Sequence, residues 1–288
     1  MIALVTGDDG FIGTNLKQLL VAENVEVRGF SRKKGLDVLN AGQVDSAVKG
    51  ADLVFHVAAD ARPAESVLKP AETIETNLRG SLNVLEACRR HDVPLVYPSS
   101  CEIYGDSKAI ITEETPINPP NPNTASKAAI DRICFTYWKS YGLDVKVARF
   151  FNPYGPHQQL NKIIPTFYAF AMRNKPITVY GDGKDTRDYT YVSDIVRGLW
   201  ECRDLPGGEA VNLCTGVATT NLEMAHMVIK ALGSKSKITL TPYPEIFGGI
   251  KYQVGSNEKA RRLLGWSPKV ALKEGIPLTI EWLREVGV

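Results

Sequence analysis

Short apolar runs alternate along the chain with longer segments whose apolar residues return every three or four positions. Ile2–Thr6 is followed by Phe11–Glu23, Val25–Phe30 by a short loop and Ala41–Lys49, and Leu53–Ala58 by Glu65–His91; Leu95–Pro98, Asn123–Tyr141 and Val145–Phe150 continue the series. The apolar runs predict buried strands and the helical period predicts helices. In the first helix Ile12, Leu16, Leu19 and Leu20 fall at i, i+4, i+7 and i+8, a single face that should pack on a sheet. Alternating β and α elements predict an α/β protein with a doubly wound parallel sheet. After about residue 151 the rhythm loosens, with Pro153, Pro156, Pro165, Pro176 and Pro206, which predicts a smaller, interleaved α/β C-terminal lobe.

Composition narrows the class. The 288 residues carry 34 Lys and Arg against 32 Asp and Glu, a formal charge of +2, with 44% hydrophobic and 23% charged residues. That is an ordinary globular balance, without the disorder of a highly charged chain or the basic excess of a general nucleic-acid binder. No stretch is long and apolar enough for a bilayer, and Met1–Thr6, closed by Gly7 and with Lys17 as the first basic residue, does not read as a signal peptide. Cys88, Cys101, Cys134, Cys202 and Cys214 have no CxxC spacing, and His56, His91, His157 and His226 are isolated. Neither a disulfide framework nor a metal site is expected, and a reducing cytoplasmic setting is.

The first candidate site is Val5-Thr6-Gly7-Asp8-Asp9-Gly10-Phe11-Ile12-Gly13, which closes a strand and opens a helix. Gly7 permits a tight turn, Gly10 a close backbone approach and Gly13 close helix packing, so Gly7, Gly10, Phe11 and Ile12 are the expected contacts of a dinucleotide pyrophosphate on the helix N-terminus. Asp8 and Asp9 are unusual there, since carboxylates repel a pyrophosphate unless they point away. The second strand ends in Phe30-Ser31-Arg32-Lys33-Lys34 without a carboxylate. Ser31 and Arg32 lean the choice between NAD and NADP toward NADP, and a solvated basic loop explains the same residues equally well.

The glycine spacing GxxGxxG resembles the short-chain dehydrogenase/reductase superfamily. Asp37-Val38 resembles its adenine-contacting pair, and His56-Val57-Ala58-Ala59 its HxAA strand end, with Ala58 and Ala59 lining the cofactor. Further segments narrow the resemblance to the extended branch, the NAD(P)-dependent nucleotide-sugar epimerase/dehydratase family: Thr76-Asn77-Leu78-Arg79-Gly80-Ser81 leading into Asn83–Ala87, Ser99–Gly105, Arg149–Pro156, Tyr180–Gly183 with Arg187–Asp194, and Leu264–Pro268. The resemblance implies a Rossmann sheet. Residues 1–155 with about 186–220 would form the dinucleotide-binding domain, and about 156–185 with 221–288 the sugar-nucleotide lobe.

The family's chemistry oxidises C4 of a nucleoside-diphosphate hexose, with a tyrosine as base one helical turn before a lysine. By this resemblance Lys127 is the lysine, which also contacts the cofactor, and Ser100 is the hydroxyl on the 4-OH. The tyrosine position is Asn123, an amide that cannot serve as a general base. Three explanations stand: an inactivated variant, a substitute base such as Tyr104 or Tyr154, or a protein that keeps the fold without the chemistry. Retention of the other positions favours the first.

Cys101-Glu102 is the most informative pair on the substrate side. Hexose 4,6-dehydratases of the family carry Asp-Glu there, so Glu102 resembles the C5 base and Cys101 would replace the acid at C6. Decarboxylases and some reductases also carry the glutamate, and a buried cysteine beside a backbone-bound glutamate is the plain structural alternative. The resemblance implies that Asn152 and Arg187 bind phosphate and that Tyr180 helps enclose the base. A second arginine usual in the family is absent at Ile246-Phe247-Gly248-Gly249.

The leading expectation is thus a nucleotide-sugar dehydratase with tightly bound NAD or NADP, acting on a UDP- or dTDP-hexose through a 4-keto intermediate. A UDP-hexose 4-epimerase and a catalytically silent binding protein are the alternatives. Family resemblance also implies a homodimer through Glu65–His91 and Asn123–Tyr141; Ile130, Ile133 and Trp138 suit that or contact with the sheet.

Overall fold

The computed structural model describes residues 1–243 and 250–288. Through residue 150 strands and helices alternate: β1 (Ile2–Thr6), α1 (Phe11–Ala22), β2 (Glu26–Phe30), α2 (Ala41–Val48), β3 (Leu53–His56), α3 (Pro63–Leu68), α4 (Pro70–Ile74), α5 (Gly80–His91), β4 (Leu95–Ser100), α6 (Pro122–Tyr141) and β5 (Val145–Phe150). Shorter pieces follow: β6 (Pro153–Tyr154), α7 (Ile163–Ala171), β7 (Ile177–Tyr180), β8 (Thr186–Arg187), β9 (Thr190–Tyr191), α8 (Val192–Glu201), β10 (Ala210–Leu213), β11 (Thr219–Thr220), α9 (Asn221–Leu232), β12 (Ile238–Thr241), β13 (Tyr252–Gln253), α10 (Glu258–Leu264) and α11 (Leu272–Glu285).

Six strands form one parallel sheet in the order β10-β5-β4-β3-β1-β2. The runs of β1, β3, β4 and β5 are largely buried, whereas β2 at the edge is half-buried. On one side Leu16 and Leu20 of α1 pack with Ile195 and Leu199 of α8 and with Trp266; on the other Val84 and Leu85 of α5 pack with Ile130 and Cys134 of α6. Ile133 and Trp138 pack against that second core as well, so the apolar residues of α6 singled out above serve the sheet. The strand order reverses between β1 and β3, which puts the natural ligand crevice over their carboxyl ends. A separate core gathers Tyr154, Ile164, Phe167, Met224, Val228 and Ile280.

Two expected elements differ from the structure. The single helix over Glu65–His91 is interrupted: Lys69, at φ −132° and ψ 61°, separates α3 from α4, because Pro70 lacks an N–H and forces its predecessor out of the helical region. A π-turn over Glu75–Arg79 then joins α4 to α5. Conversely β4 continues past Pro98 to Ser100 in register with β5. Its ladder with β3 ends at Val96, so on that side the N–H that Pro98 lacks has no partner to forgo.

Candidate functional site

The carboxyl ends of the parallel strands gather most of the expected residues. Gly7, at φ +70°, turns the chain out of β1, and a Cβ there would lie 2.8 Å from the backbone of Ala58 beyond β3. Gly10 caps α1 without any side-chain hydrogen bond, and no acidic residue lies in the first turn, Phe11 and Ile12 included. Gly13 could not carry a Cβ against the backbone of Gly7 and Asp8. The helix N-terminus thus keeps its N–H groups and dipole for an anion, in a cradle that side chains would fill. These residues fit a dinucleotide pyrophosphate.

Below the cradle the Thr6 hydroxyl meets His56 Nδ1 at 2.8 Å, and His56 Nε2 meets the Ser81 hydroxyl at 2.9 Å. The Ala58 N–H donates to Thr6 Oγ1 at 3.1 Å. Burial lowers the imidazole pKa to about 4, so His56 is a neutral tie between β1, β3 and α5. Ala59 is exposed beside it. On the far side Val38 is buried against Gly80, and the Asp37 carboxylate accepts the Leu39 N–H at 3.0 Å. Ser31 is buried, whereas the Arg32 side chain is 65% exposed with Asp37 Oδ2 at 3.7 Å.

At the end of β4 the Ser100 hydroxyl accepts the Glu102 N–H at 3.2 Å, capping a 3₁₀ turn over Cys101–Tyr104. That turn presents Glu102 half-buried, with no hydrogen bond or ion pair from its carboxylate among the described residues. Lys127 of α6 is close enough for the two charges to interact; desolvation lowers the lysine pKa, and Glu102 partly opposes that. Cys101 behaves differently. It is buried, its thiol donates to Gln253 Oε1 at 3.1 Å, and burial pushes its pKa well up. Gln253 Nε2 in turn donates to the Cys101 carbonyl at 3.1 Å and the Gly105 carbonyl at 3.4 Å.

Asn123 lies in the first turn of α6, started by the Asn121 capping box and Pro122. It is buried, and its amide donates to the Asp60 carbonyl. Its own N–H donates to the Ser66 hydroxyl at 3.2 Å. Asn77 extends the network, donating to the Asp60 carbonyl at 3.1 Å and to Ser126 Oγ at 2.9 Å. At Asn123, where the resemblance leads one to expect a tyrosine, the chain has a tie between α6 and the loop after β3. Neither tyrosine named as a substitute base lies in this network. Tyr104 is buried, donating to Asn212 Oδ1 at 2.9 Å and accepting from Arg149 at 2.8 Å, and burial raises its pKa. Tyr154 belongs to the separate core, its ring against Tyr189 and Tyr191.

Asn152, at φ +30°, donates to the Asp188 carbonyl at 3.1 Å. Arg187 on β8 is held by the Thr186 and Ile250 carbonyls at 3.0 and 2.8 Å, and its charge reaches Cys101. Tyr180 is not drawn into this group: it is 42% exposed on β7, with Tyr243 as its aromatic neighbour. Ile246-Phe247-Gly248-Gly249 lies outside the described residues. Sequence reasoning missed Gln253, Asp60 and Ser66, which sit in no local pattern. Among the described residues no group of His, Cys, Asp and Glu could hold a metal ion, and no helix is long and apolar enough to cross a membrane.

Comparison with known proteins accounts for this edge. The family described as NAD dependent epimerase/dehydratase family matches residues 3–214. The chain belongs to that family. It is 31% identical to UDP-glucuronic acid decarboxylase 4 of Arabidopsis thaliana, over 98% of this chain and 68% of the relative. It is 32% identical to a dTDP-glucose 4,6-dehydratase of Streptomyces niveus, over 99% and 93% of the two chains. Among solved structures, the UDP-glucose 4-epimerase of Thermus thermophilus in complex with NAD superposes with a TM-score of 0.90 at 32% identity, covering 99% of each chain. The epimerase/dehydratase resemblance and the doubly wound sheet are thereby confirmed.

Proposed function

We propose that this chain acts on a UDP- or dTDP-sugar held between the lobes, and that Glu102 moves the C5 proton of a 4-keto sugar, the central step of a dehydratase. The observation that carries this reading is the Glu102 carboxylate in the turn after β4, beside Lys127 and without a hydrogen bond or ion pair among the described residues. A ketone at C4 acidifies the C5 hydrogen, and a carboxylate without other partners can take it. A nicotinamide dinucleotide, when bound in the cradle, supplies the hydride chemistry at C4. Lys127 orients it with a cationic head, Ser100 offers a hydroxyl to the sugar, and Arg187 presents a planar cation to the diphosphate. The names of the relatives support the substrate class.

Cys101 favours a second reading. Departure of a C6 hydroxyl needs an acid, and the Cys101 thiol is turned to Gln253 and held neutral. If C6 is instead a carboxylate, the 4-keto sugar is a β-keto acid, which loses carbon dioxide without an acid at C6. The electron pair of the broken C5–C6 bond would become the C4–C5 enolate, and Glu102, protonated from solvent, would deliver a proton to C5.

Asn123 leaves the oxidation at C4 without its usual base, so turnover is slow, and Asn123→Tyr should raise it by about 10²–10⁴-fold. NMR in D₂O of UDP- and dTDP-hexoses and UDP-hexuronates, incubated with the chain and with Asn123→Tyr, is the test. Deuterium at C5 with loss of the 6-hydroxyl, abolished by Glu102→Gln, supports the dehydratase. Carbon dioxide release supports the decarboxylase, and C4 inversion without C5 label overturns any role of Glu102 at C5. Cofactor binding without turnover in either protein would leave a silent binding protein.

A further inference from the structure

The two carboxylates of the glycine loop, unexpected beside a pyrophosphate, meet different fates. Asp8 is completely buried, its Oδ2 2.7 Å from Lys34 Nζ and 3.4 Å from Lys17 Nζ. Gly29 of β2 makes room for this group, since a Cβ there would lie 2.6 Å from the Asp8 carboxyl carbon. Asp9 remains partly exposed, and its Oδ2 accepts the hydroxyl of Ser31, the first residue beyond β2. That bond, followed by the charges of Lys34, Lys33 and Lys17, holds its carboxyl below the usual carboxylate range. Both loop acids thus reach across to the end of the second strand.

In dinucleotide-binding sheets that place usually decides the cofactor: an acid accepts the ribose hydroxyls of NAD, and a basic residue accommodates the phosphate of NADP. Here the strand end is Ser31, and of the basic residues after it Lys34 is committed to Asp8 while Arg32 extends into solvent. The carboxylate fixed to Ser31 comes from the loop.

We propose that Asp9 selects NAD over NADP: the acid usual at the end of the second strand has moved into the glycine loop, where Ser31 holds it to accept the ribose 2′-hydroxyl and repel a 2′-phosphate. This rests on the dinucleotide reading of the cradle. The cofactor leaning drawn from Ser31 and Arg32 in the sequence is reversed by it, because that reading counted the cations without the two loop anions that face them.

The test is calorimetric titration of the full chain with NAD and with NADP, and of Asp9→Asn and Arg32→Ala, each checked by thermal unfolding. The wild type should bind NAD about tenfold or more tighter, and Asp9→Asn should cut that ratio by about tenfold, the worth of one charge-assisted hydrogen bond. Asp9→Asn keeps a group that can bond Ser31 and loses only the attraction of the nearby lysines, so its melting temperature should fall by no more than about a degree or two. Arg32→Ala should leave the ratio as it was. Tighter NADP binding by the wild type, or an unchanged ratio in Asp9→Asn, overturns the assignment to Asp9 while keeping the dinucleotide site. Binding of neither cofactor overturns the site and the assignment together.

Discussion

His56 shows what a single buried titratable residue contributes. Its ring bridges Thr6 and Ser81, and its pKa falls from about 6.5 in the unfolded chain to about 4 in the folded one. The unfolded state therefore takes up the proton first as pH drops. His56 contributes its full share of stability above pH 6.5 and loses it toward pH 4, on the order of 3 kcal/mol across that window. Thermal unfolding at pH 7.5 and 4.5, compared between the wild type and His56→Gln, should show a smaller pH dependence in the variant; equal slopes would assign the acid sensitivity elsewhere. The placement of His56 was legible because it lies at a strand end within a short pattern. The partner of Asn123 was not, since Asp60 lies 63 residues away in a loop and uses only its carbonyl, which every residue has.

Elements were legible where one periodicity ran undisturbed, as in α1, α6 and β5, and misjudged where proline chemistry intervened. The contact between the glycine loop and the turn after β2 was invisible for another reason: it depends on which way two adjacent aspartates point. That contact has a mechanical consequence. The Asp8 carboxylate is buried, but its partner Lys34 is 43% exposed, so the pair is half-solvated and water makes up part of what its loss removes. Lys34→Met should therefore destabilise the chain by about 1 kcal/mol, with Lys17 at 3.4 Å recovering part of it. Adding Asp8→Asn should restore most of the loss, because the neutral amide needs no counter-ion. Denaturant titration of the four proteins of the cycle gives the coupling, and equal effects of Lys34→Met in both backgrounds would mean the pair is not coupled.

At the scale of the whole molecule, the turn after β4 is stitched to β13. The Asp106 carboxylate accepts the N–H groups of Lys251 and Tyr252 at 2.7 and 2.8 Å, the Ile111 N–H donates to the Val254 carbonyl at 2.8 Å, and Gln253 ties Cys101 and Gly105. The sheet was readable from local runs because each strand pairs with neighbours of the same character. This seam joins segments some 150 residues apart through the Asp106 and Gln253 side chains and backbone bonds, so no window of sequence reveals it. Gln253 thus holds the backbone that presents Glu102. Gln253→Leu should leave the Gly105 carbonyl without its side-chain donor and the Cys101 thiol without its acceptor, lowering stability by about 1–3 kcal/mol. Its clearer signature is local. Hydrogen exchange at the Gly105 amide, which donates to the Glu102 carbonyl at 3.1 Å, should quicken, while amides in β1, β4 and β5 keep their protection. Uniform acceleration across the sheet would instead make Gln253 a global stability residue, with no special hold on the Glu102 turn.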